Sequence, residues 1–165
     1  MHYTTYCIVV RAGARVKRCR RAADVVAHVK VVLDTNVLVS GLINPPCVPG
    51  RIAGSWRDGG FELVLSERQL EEIEATLRYP KIARRLSWGS EEIQRFILLL
   101  RLKSEIVALP VAADVFEGLR DPADAHLLSA LRRSGAEVLV SGDQHLLELR
   151  ARFPVLSPVE FAARL

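Results

Sequence analysis

Several features that define common protein classes are missing from this 165-residue chain. No apolar run approaches the roughly 18 residues that a membrane-spanning helix needs, which argues against a membrane protein. The three cysteines, Cys7, Cys19 and Cys47, have no C-x-x-C spacing. A disulfide scaffold and a thiolate zinc site are therefore disfavoured, and a reducing, cytoplasmic environment is expected. The 10 glycines and 8 prolines are an ordinary share, which excludes collagen-like and wholly disordered chains.

The motifs of several large enzyme classes are missing as well. The sequence has no G-x-x-x-x-G-K-[ST] or G-x-G-x-x-G loop, no H-E-x-x-H and no G-x-S-x-G. The four histidines show no metal-ligand spacing. ATPases, dinucleotide-dependent enzymes, zinc proteases and serine hydrolases are therefore poor candidates.

Positive charge is concentrated at one end of the chain. Residues 1–30 carry seven basic side chains and one acid, which gives +6, whereas the remaining residues sum to −2. A basic arm favours a polyanionic partner, and it is also typical of a solvated tail. Within it, residues 3–10 are compatible with a strand and residues 16–28 with a short helix, and an artefactual upstream start is a third alternative. We predict a basic extension over residues 1–28 and a folded domain over residues 29–165.

Apolar, β-branched runs alternate with helical patterns after residue 29. Such an alternation predicts an α/β fold with a mainly parallel sheet that is covered on both faces. Ser66, with Gln69 three residues later, has the pattern of a capping box. The predicted strands are residues 30–34, 61–65, 106–109, 137–141 and 155–156. The predicted helices are residues 36–43, 50–57, 66–79, 81–87 and 144–150, with others beginning at Ser90, Asp121 and Pro158.

Carboxylates follow several of these strands. Asp34 ends the first strand, Asp143 follows the fourth, Asp121 and Asp124 begin one helix, and Glu72 lies within the helix after the second strand. Because ligands bind at the carboxyl ends of parallel strands, these side chains are expected to converge. Clustered carboxylates repel one another unless a cation lies among them. An oxygen-only set of this kind favours Mg²⁺ or Mn²⁺ and phosphoryl chemistry.

Each carboxylate also has a purely structural interpretation. Asp121 before Pro122 has the pattern of a helix N-cap, with Asp124 as its capping partner, and Asp143 has the pattern of another N-cap. Glu72 belongs to an acidic helix that is compatible with simple solvation. Asp34 is the hardest to explain structurally, because apolar neighbours surround it and an unpaired buried carboxylate is costly.

Taken together, these motifs resemble those of a known protein family. The chain is similar to PIN-domain ribonucleases, of the kind that serve as toxins in VapC-like toxin–antitoxin pairs. The resemblance covers about Lys30 to Phe161. It depends on an ordered set of motifs, with separations of 38, 52 and 19 residues between its four acids. The segments that carry it are residues 31–41, 56–66, 70–81, 120–126 and 138–143.

The resemblance implies a three-layer α/β/α fold and a metal-dependent endoribonuclease that uses Mg²⁺ or Mn²⁺. By position, the metal-binding and catalytic acids are Asp34, Glu72, Asp124 and Asp143. The resemblance also implies supporting residues: Asn36 to brace the first acid, Ser141 as a hydroxyl beside the metal, and Asp121 as an alternative to Asp124. Serine at position 141 departs from the more common threonine.

An acidic site that binds a polyanion needs cations at its rim. Four basic residues in eight positions are candidates to contact the RNA backbone, although a solvated helix face is the alternative; these are Arg78, Lys81, Arg84 and Arg85. Trp56 and Trp88 are candidates to stack on bases or to belong to the core. The resemblance also implies an antitoxin protein and a homodimer, for which the apolar helix over residues 96–100 is either a contact surface or core.

Two other functions remain open from the sequence. The chain is compatible with a binding module that docks RNA or a partner with little or no cleavage. A haloacid-dehalogenase-type phosphatase requires a second Asp two residues after Asp34 and a Thr two residues beyond that. Asn36 and Leu38 occupy these positions, so this alternative is poor.

Overall fold

A computed structural model describes residues 29–109 and 114–165. The predicted extension over residues 1–28, with its two alternative secondary structures, lies outside the described residues. The strands are β1 (Lys30–Leu33), β2 (Glu62–Ser66), β3 (Ser104–Val107), β4 (Val138–Val140) and β5 (Val155–Leu156). The helices are α1 (Thr35–Ile43), α2 (Val48–Arg57), α3 (Glu67–Arg78), α4 (Pro80–Leu86), α5 (Ser90–Lys103), α6 (Ala125–Ser134), α7 (Gln144–Glu148) and α8 (Pro158–Ala162).

The five strands form one sheet in the order β3-β2-β1-β4-β5, and every pairing is parallel. The central strand, β1, pairs Val32 with Val64 on one side and with Leu139 on the other. Because all five strands run the same way, the segments that follow them leave from one edge of the sheet. The predicted parallel sheet is confirmed.

The alternation of side chains along the strands divides the core into two layers. Val31 and Leu33 face a large apolar cluster formed with helices α1, α2, α3, α5 and α8. Val32 faces the other layer, where Leu128 of α6 and Leu146 of α7 are fully buried. Helices thus cover both faces, and the three-layer α/β/α sandwich characteristic of PIN-like folds is confirmed.

Helix α5 differs from the prediction at its start. Gly89, not Ser90, is the N-cap, and its backbone N–H donates to the carboxylate of Glu92 at 2.9 Å. Phe96 and Leu100 are buried, so this part of the helix is largely core, although Leu98 is 56% exposed. Among the residues that the structure describes, no helix is both long and apolar enough to cross a membrane.

Strand β3 and helix α6 also begin at other residues than predicted. Strand β3 is Ser104–Val107 and not residues 106–109, because it follows α5 without an intervening loop. Asp121 begins a 3₁₀ turn over Pro122–Asp124, and the α-helix starts only at Ala125. Asp124 is therefore the last residue of this turn and does not belong to an α-helix that begins at Asp121.

Candidate functional site

Asp34 lies at the junction of β1 and α1 and is only 6% exposed. Its backbone N–H donates to the Val140 carbonyl at 2.9 Å, which extends the pairing of β1 with β4. Its Oδ1 accepts from the backbone N–H of Asn36 at 2.9 Å, and its Oδ2 accepts from the Ser141 hydroxyl at 2.6 Å. Asp34 is thus the N-cap of α1, and both carboxylate oxygens have partners that compensate for burial. Asn36 contacts it through the backbone, and the Asn36 side chain is exposed.

Ser141 connects Asp34 with Asp143. The Ser141 Oγ, which is fully buried, accepts from the backbone N–H of Asp143 at 2.9 Å while it donates to Asp34. The Asp143 side chain in turn accepts from the backbone N–H of His145 at 2.7 Å, so it is the expected N-cap of α7. One hydroxyl therefore fixes the loop after β4 against the end of β1 and holds the exposed Asp143 beside Asp34.

Asp121 and Asp124 belong to the turn before α6. Asp121 accepts from the backbone N–H of Ala123 at 2.8 Å, which confirms its capping role. The side chain of Asp124 makes no capping hydrogen bond, so the predicted capping partnership was wrong. Partial burial raises the pKa of Asp124, and the negative charges of Asp121, Asp34 and Asp143 raise it further. These four carboxylates are therefore close enough to interact electrostatically.

Glu72 reaches the same region from α3. Its Oε2 accepts from the Thr35 hydroxyl at 3.3 Å, and Thr35 directly follows Asp34. The same oxygen lies 3.5 Å from Nε2 of His126, a residue only 7% exposed. The Nδ1 of His126 contacts the Ala123 carbonyl at 2.7 Å, and its buried Nε2 has no hydrogen-bond partner among the described residues. Sequence reasoning missed both Thr35 and His126 as site residues, although both lie in segments that carry the family resemblance.

Gln69 is a third residue that sequence reasoning missed. It is fully buried on α3, and its Nε2 donates to the carbonyl of Leu33, the last residue of β1, at 2.5 Å. Only half of the expected capping box forms, because Ser66 accepts from the backbone N–H of Gln69 while the Gln69 side chain turns to β1. Gln69 therefore connects the helix that carries Glu72 with the strand that ends at Asp34. Gln69 lies on the buried face of α3 with Leu70, Ile73 and Leu77, and this polar residue on an apolar face was the sequence signal that could have identified it.

The donor chemistry of this site fits a hard divalent cation. Carboxylate oxygens are the ligands that Mg²⁺ and Mn²⁺ prefer, and the repulsion that raises the pKa of Asp124 is what a cation relieves. Across residues 29–109 and 114–165, however, no three Asp, Glu, His or Cys side chains are close enough to hold an ion. The side chain of Glu72 is half exposed and Asp143 is exposed, so both carboxylates are open to solvent.

Among the described residues, the basic side chains predicted to contact RNA form no hydrogen bond or ion pair with the carboxylates of this site. Arg78 pairs with Glu74 at 2.7 Å, and the Nε of Arg84 donates to a backbone carbonyl of its own helix. Lys81 and Arg85 are exposed, and no hydrogen bond or ion pair within the described residues connects any of the four with the carboxylates. Trp56 is 3% exposed and Trp88 packs on Phe96, so Trp56 is core and not available to stack on a base.

Comparison with known proteins identifies the family of this fold. A family model described as a PIN domain matches residues 30–145, which contain all five of the carboxylates described above. The chain belongs to the PIN-domain family. It is also 31% identical over 122 residues to an uncharacterized protein of Methanocaldococcus jannaschii, a match that covers 74% of this chain and 76% of that protein.

Membership in the PIN-domain family defines the function at a coarse level. PIN domains are generally nucleases, and they act on RNA and usually use divalent metals. This chain is accordingly a PIN-fold protein of a hydrolase family, with its carboxylates at the edge of the sheet where ligands of parallel α/β folds bind.

The raised pKa of Asp124 predicts a stability that depends on pH. In metal-free buffer at pH 7, we expect Asp124→Asn to increase the free energy of unfolding by a few tenths to about 1 kcal/mol, because it removes a poorly solvated, repelled charge. The pKa of Asp124 is higher in the folded chain than in the unfolded chain. The charged carboxylate therefore destabilises the fold to the full extent at pH values above the folded pKa. This destabilisation is lost as the pH falls through the folded pKa toward the unfolded one.

Urea unfolding of both proteins at pH 7 and pH 4 in EDTA measures this difference. The advantage of Asp124→Asn is expected to shrink at pH 4, because a carboxyl whose pKa is raised in the fold takes up its proton there before the unfolded one does. If the stability gained by Asp124→Asn grows on acidification, or if the variant is less stable than the wild type at pH 7, the pKa of Asp124 is not raised in the fold.

Proposed function

We propose that this chain is a divalent-metal-dependent endoribonuclease that hydrolyses phosphodiester bonds of RNA. The observation that carries the proposal is that the Ser141 hydroxyl holds Asp34 and the loop of Asp143 together at the carboxyl edge of the sheet. Asp121 and Asp124 lie in the neighbouring turn, where burial and then the charges of Asp121, Asp34 and Asp143 raise the pKa of Asp124. These carboxylates come from three separate segments of the chain. Since an uncompensated cluster destabilises the fold, a cationic ligand is the simplest reason for its presence.

The residues that would hold the ion are Asp34, Asp124 and Asp143, with Glu72 directly or through water. When bound, a divalent ion supplies Lewis-acid stabilisation of the negative charge that develops on the phosphate. Ser141 and the backbone N–H of Asn36 keep the Asp34 carboxylate in one orientation. The Thr35 hydroxyl holds the Glu72 carboxylate on the side of the site next to Asp34. Asp121 stays on the rim of the site as the cap of the 3₁₀ turn.

A binding module with little or no cleavage is the second candidate function. The observation in its favour is that no three potential ligands among the described residues are close enough to hold an ion. In this alternative the carboxylates act as helix caps, as Asp34, Asp121 and Asp143 do in the structure.

Cleavage of RNA distinguishes these two functions. Mixed single-stranded RNA is incubated with the purified chain in Mg²⁺ or Mn²⁺, and parallel samples contain EDTA or the variant Asp34→Asn. We expect cleavage that EDTA abolishes and that falls about 100-fold or more in the variant, because Asp34 is the central ligand. Asp58→Asn is the matched control, since Asp58 is an exposed aspartate at the end of α2.

Cleavage by the purified chain that persists equally in EDTA and in Asp34→Asn would contradict a metal-dependent centre at Asp34. RNA that is bound but not cleaved would favour the binding module. In that case the basic residues 1–28 would be the next segment to delete.

We also propose that the chain is the toxin of a toxin–antitoxin pair and forms a homodimer, on the basis of the resemblance to VapC-like proteins. This role predicts growth arrest when the chain is expressed alone. Asp34→Asn is expected to relieve the arrest while it is expressed at the same level, because it removes the nuclease centre. Arrest by both proteins would contradict a nuclease-based toxin, and mass in solution checks the homodimer.

A further inference from the structure

We propose that Arg120 and His145 bind a backbone phosphate of RNA at the rim of the carboxylate cluster. The inference rests on the proposed function and adds a substrate contact at the edge of its site. A site lined by four carboxylates repels a polyanion, so binding requires cations close to its edge.

Arg120 connects two of the three segments that carry the clustered acids, namely the turn of Asp121 and Asp124 and the loop of Asp143. It directly precedes Asp121, and its Nη1 lies 3.2 Å from Nδ1 of His145. The backbone N–H of His145 in turn donates to the side chain of Asp143 at 2.7 Å. Two contacts, both through His145, therefore connect Arg120 with Asp143. No lysine or arginine within the described residues forms an ion pair with Asp34, Asp121, Asp124 or Asp143 themselves.

The contact between Arg120 and His145 determines which N–H groups of the pair remain as donors. A guanidinium has only donors, so the Nδ1 of His145 must accept, and the neutral imidazole then carries its proton on Nε2. Glu148 binds the other terminal nitrogen of Arg120 at 2.9 Å and holds the guanidinium in place. Three of the five N–H groups of Arg120 remain after these two contacts, and its side chain is 63% exposed.

The donors that remain in this arrangement fit a phosphate in geometry. A guanidinium held in one orientation binds phosphate oxygens through paired, charge-assisted hydrogen bonds, and the imidazole Nε2–H adds a donor beside it. Phosphate contacts of this kind orient a nucleic acid without reading its sequence. The pair would therefore hold the RNA backbone beside the carboxylates for any base sequence.

The experiment measures RNA binding apart from cleavage. All variants are made in the Asp34→Asn background, and their affinity for a labelled single-stranded RNA pool of random sequence is measured by fluorescence anisotropy in Mg²⁺. Arg120→Gln is expected to weaken binding about tenfold, and His145→Ala about threefold, because each removes a donor to phosphate. The slope of log affinity against log salt is expected to fall by about 0.7 for Arg120→Gln.

Arg95→Gln is the matched control, because Arg95 is an equally exposed arginine that pairs with Glu91 on α5. Thermal unfolding of each variant verifies that it is folded. If Arg120→Gln weakens binding no more than Arg95→Gln does, the phosphate contact is wrong while the nuclease proposal stands. If neither the Asp34→Asn protein nor the wild type binds RNA, the proposed function itself fails.

Discussion

The buried carboxylate of Asp34 is the constraint around which this end of the molecule is built. A carboxylate that is 6% exposed at the end of the central strand is costly unless its oxygens are hydrogen-bonded. The backbone N–H of Asn36 and the hydroxyl of Ser141 provide those bonds. The start of α1 and the loop after β4 must therefore meet at the end of β1, and that meeting brings Asp143 close to Asp34.

The same constraint extends to Glu72 through the next residue. Thr35 is fixed by its position at the start of α1, and its hydroxyl holds the Glu72 carboxylate. Gln69, one turn earlier on α3, binds the carbonyl of Leu33 at the end of β1. Leu33, Asp34 and Thr35 are consecutive residues at the end of β1 and the start of α1. Their contacts position Glu72 on α3 and Asp143 in the loop after β4. Capping and ligand binding are compatible roles here, because an oxygen that accepts one hydrogen bond keeps a second lone pair.

Much of this organisation was predictable from the sequence, and the exceptions have physical reasons. Strand β1 was recognisable because its valines and leucine are buried on both faces, and Asp34 because a lone acid interrupts that apolar run. Strand β3 was misplaced because Ser104 and Glu105 look like helix or loop residues, and their pairing with β2 is a long-range effect. The role of Gln69 was hidden for the same reason, since its partner lies 36 residues away.

The effect of a divalent ion on stability shows most directly whether the clustered carboxylates bind a metal. If the clustered carboxylates bind one ion, Mn²⁺ at about 100 times its dissociation constant should stabilise the fold by about 2.7 kcal/mol and raise Tm by roughly 5–10 °C over NaCl of equal ionic strength. We predict that Asp34→Asn loses most of this rise. An equal rise in the variant, or none in the wild type, would contradict the claim that these residues form a metal site.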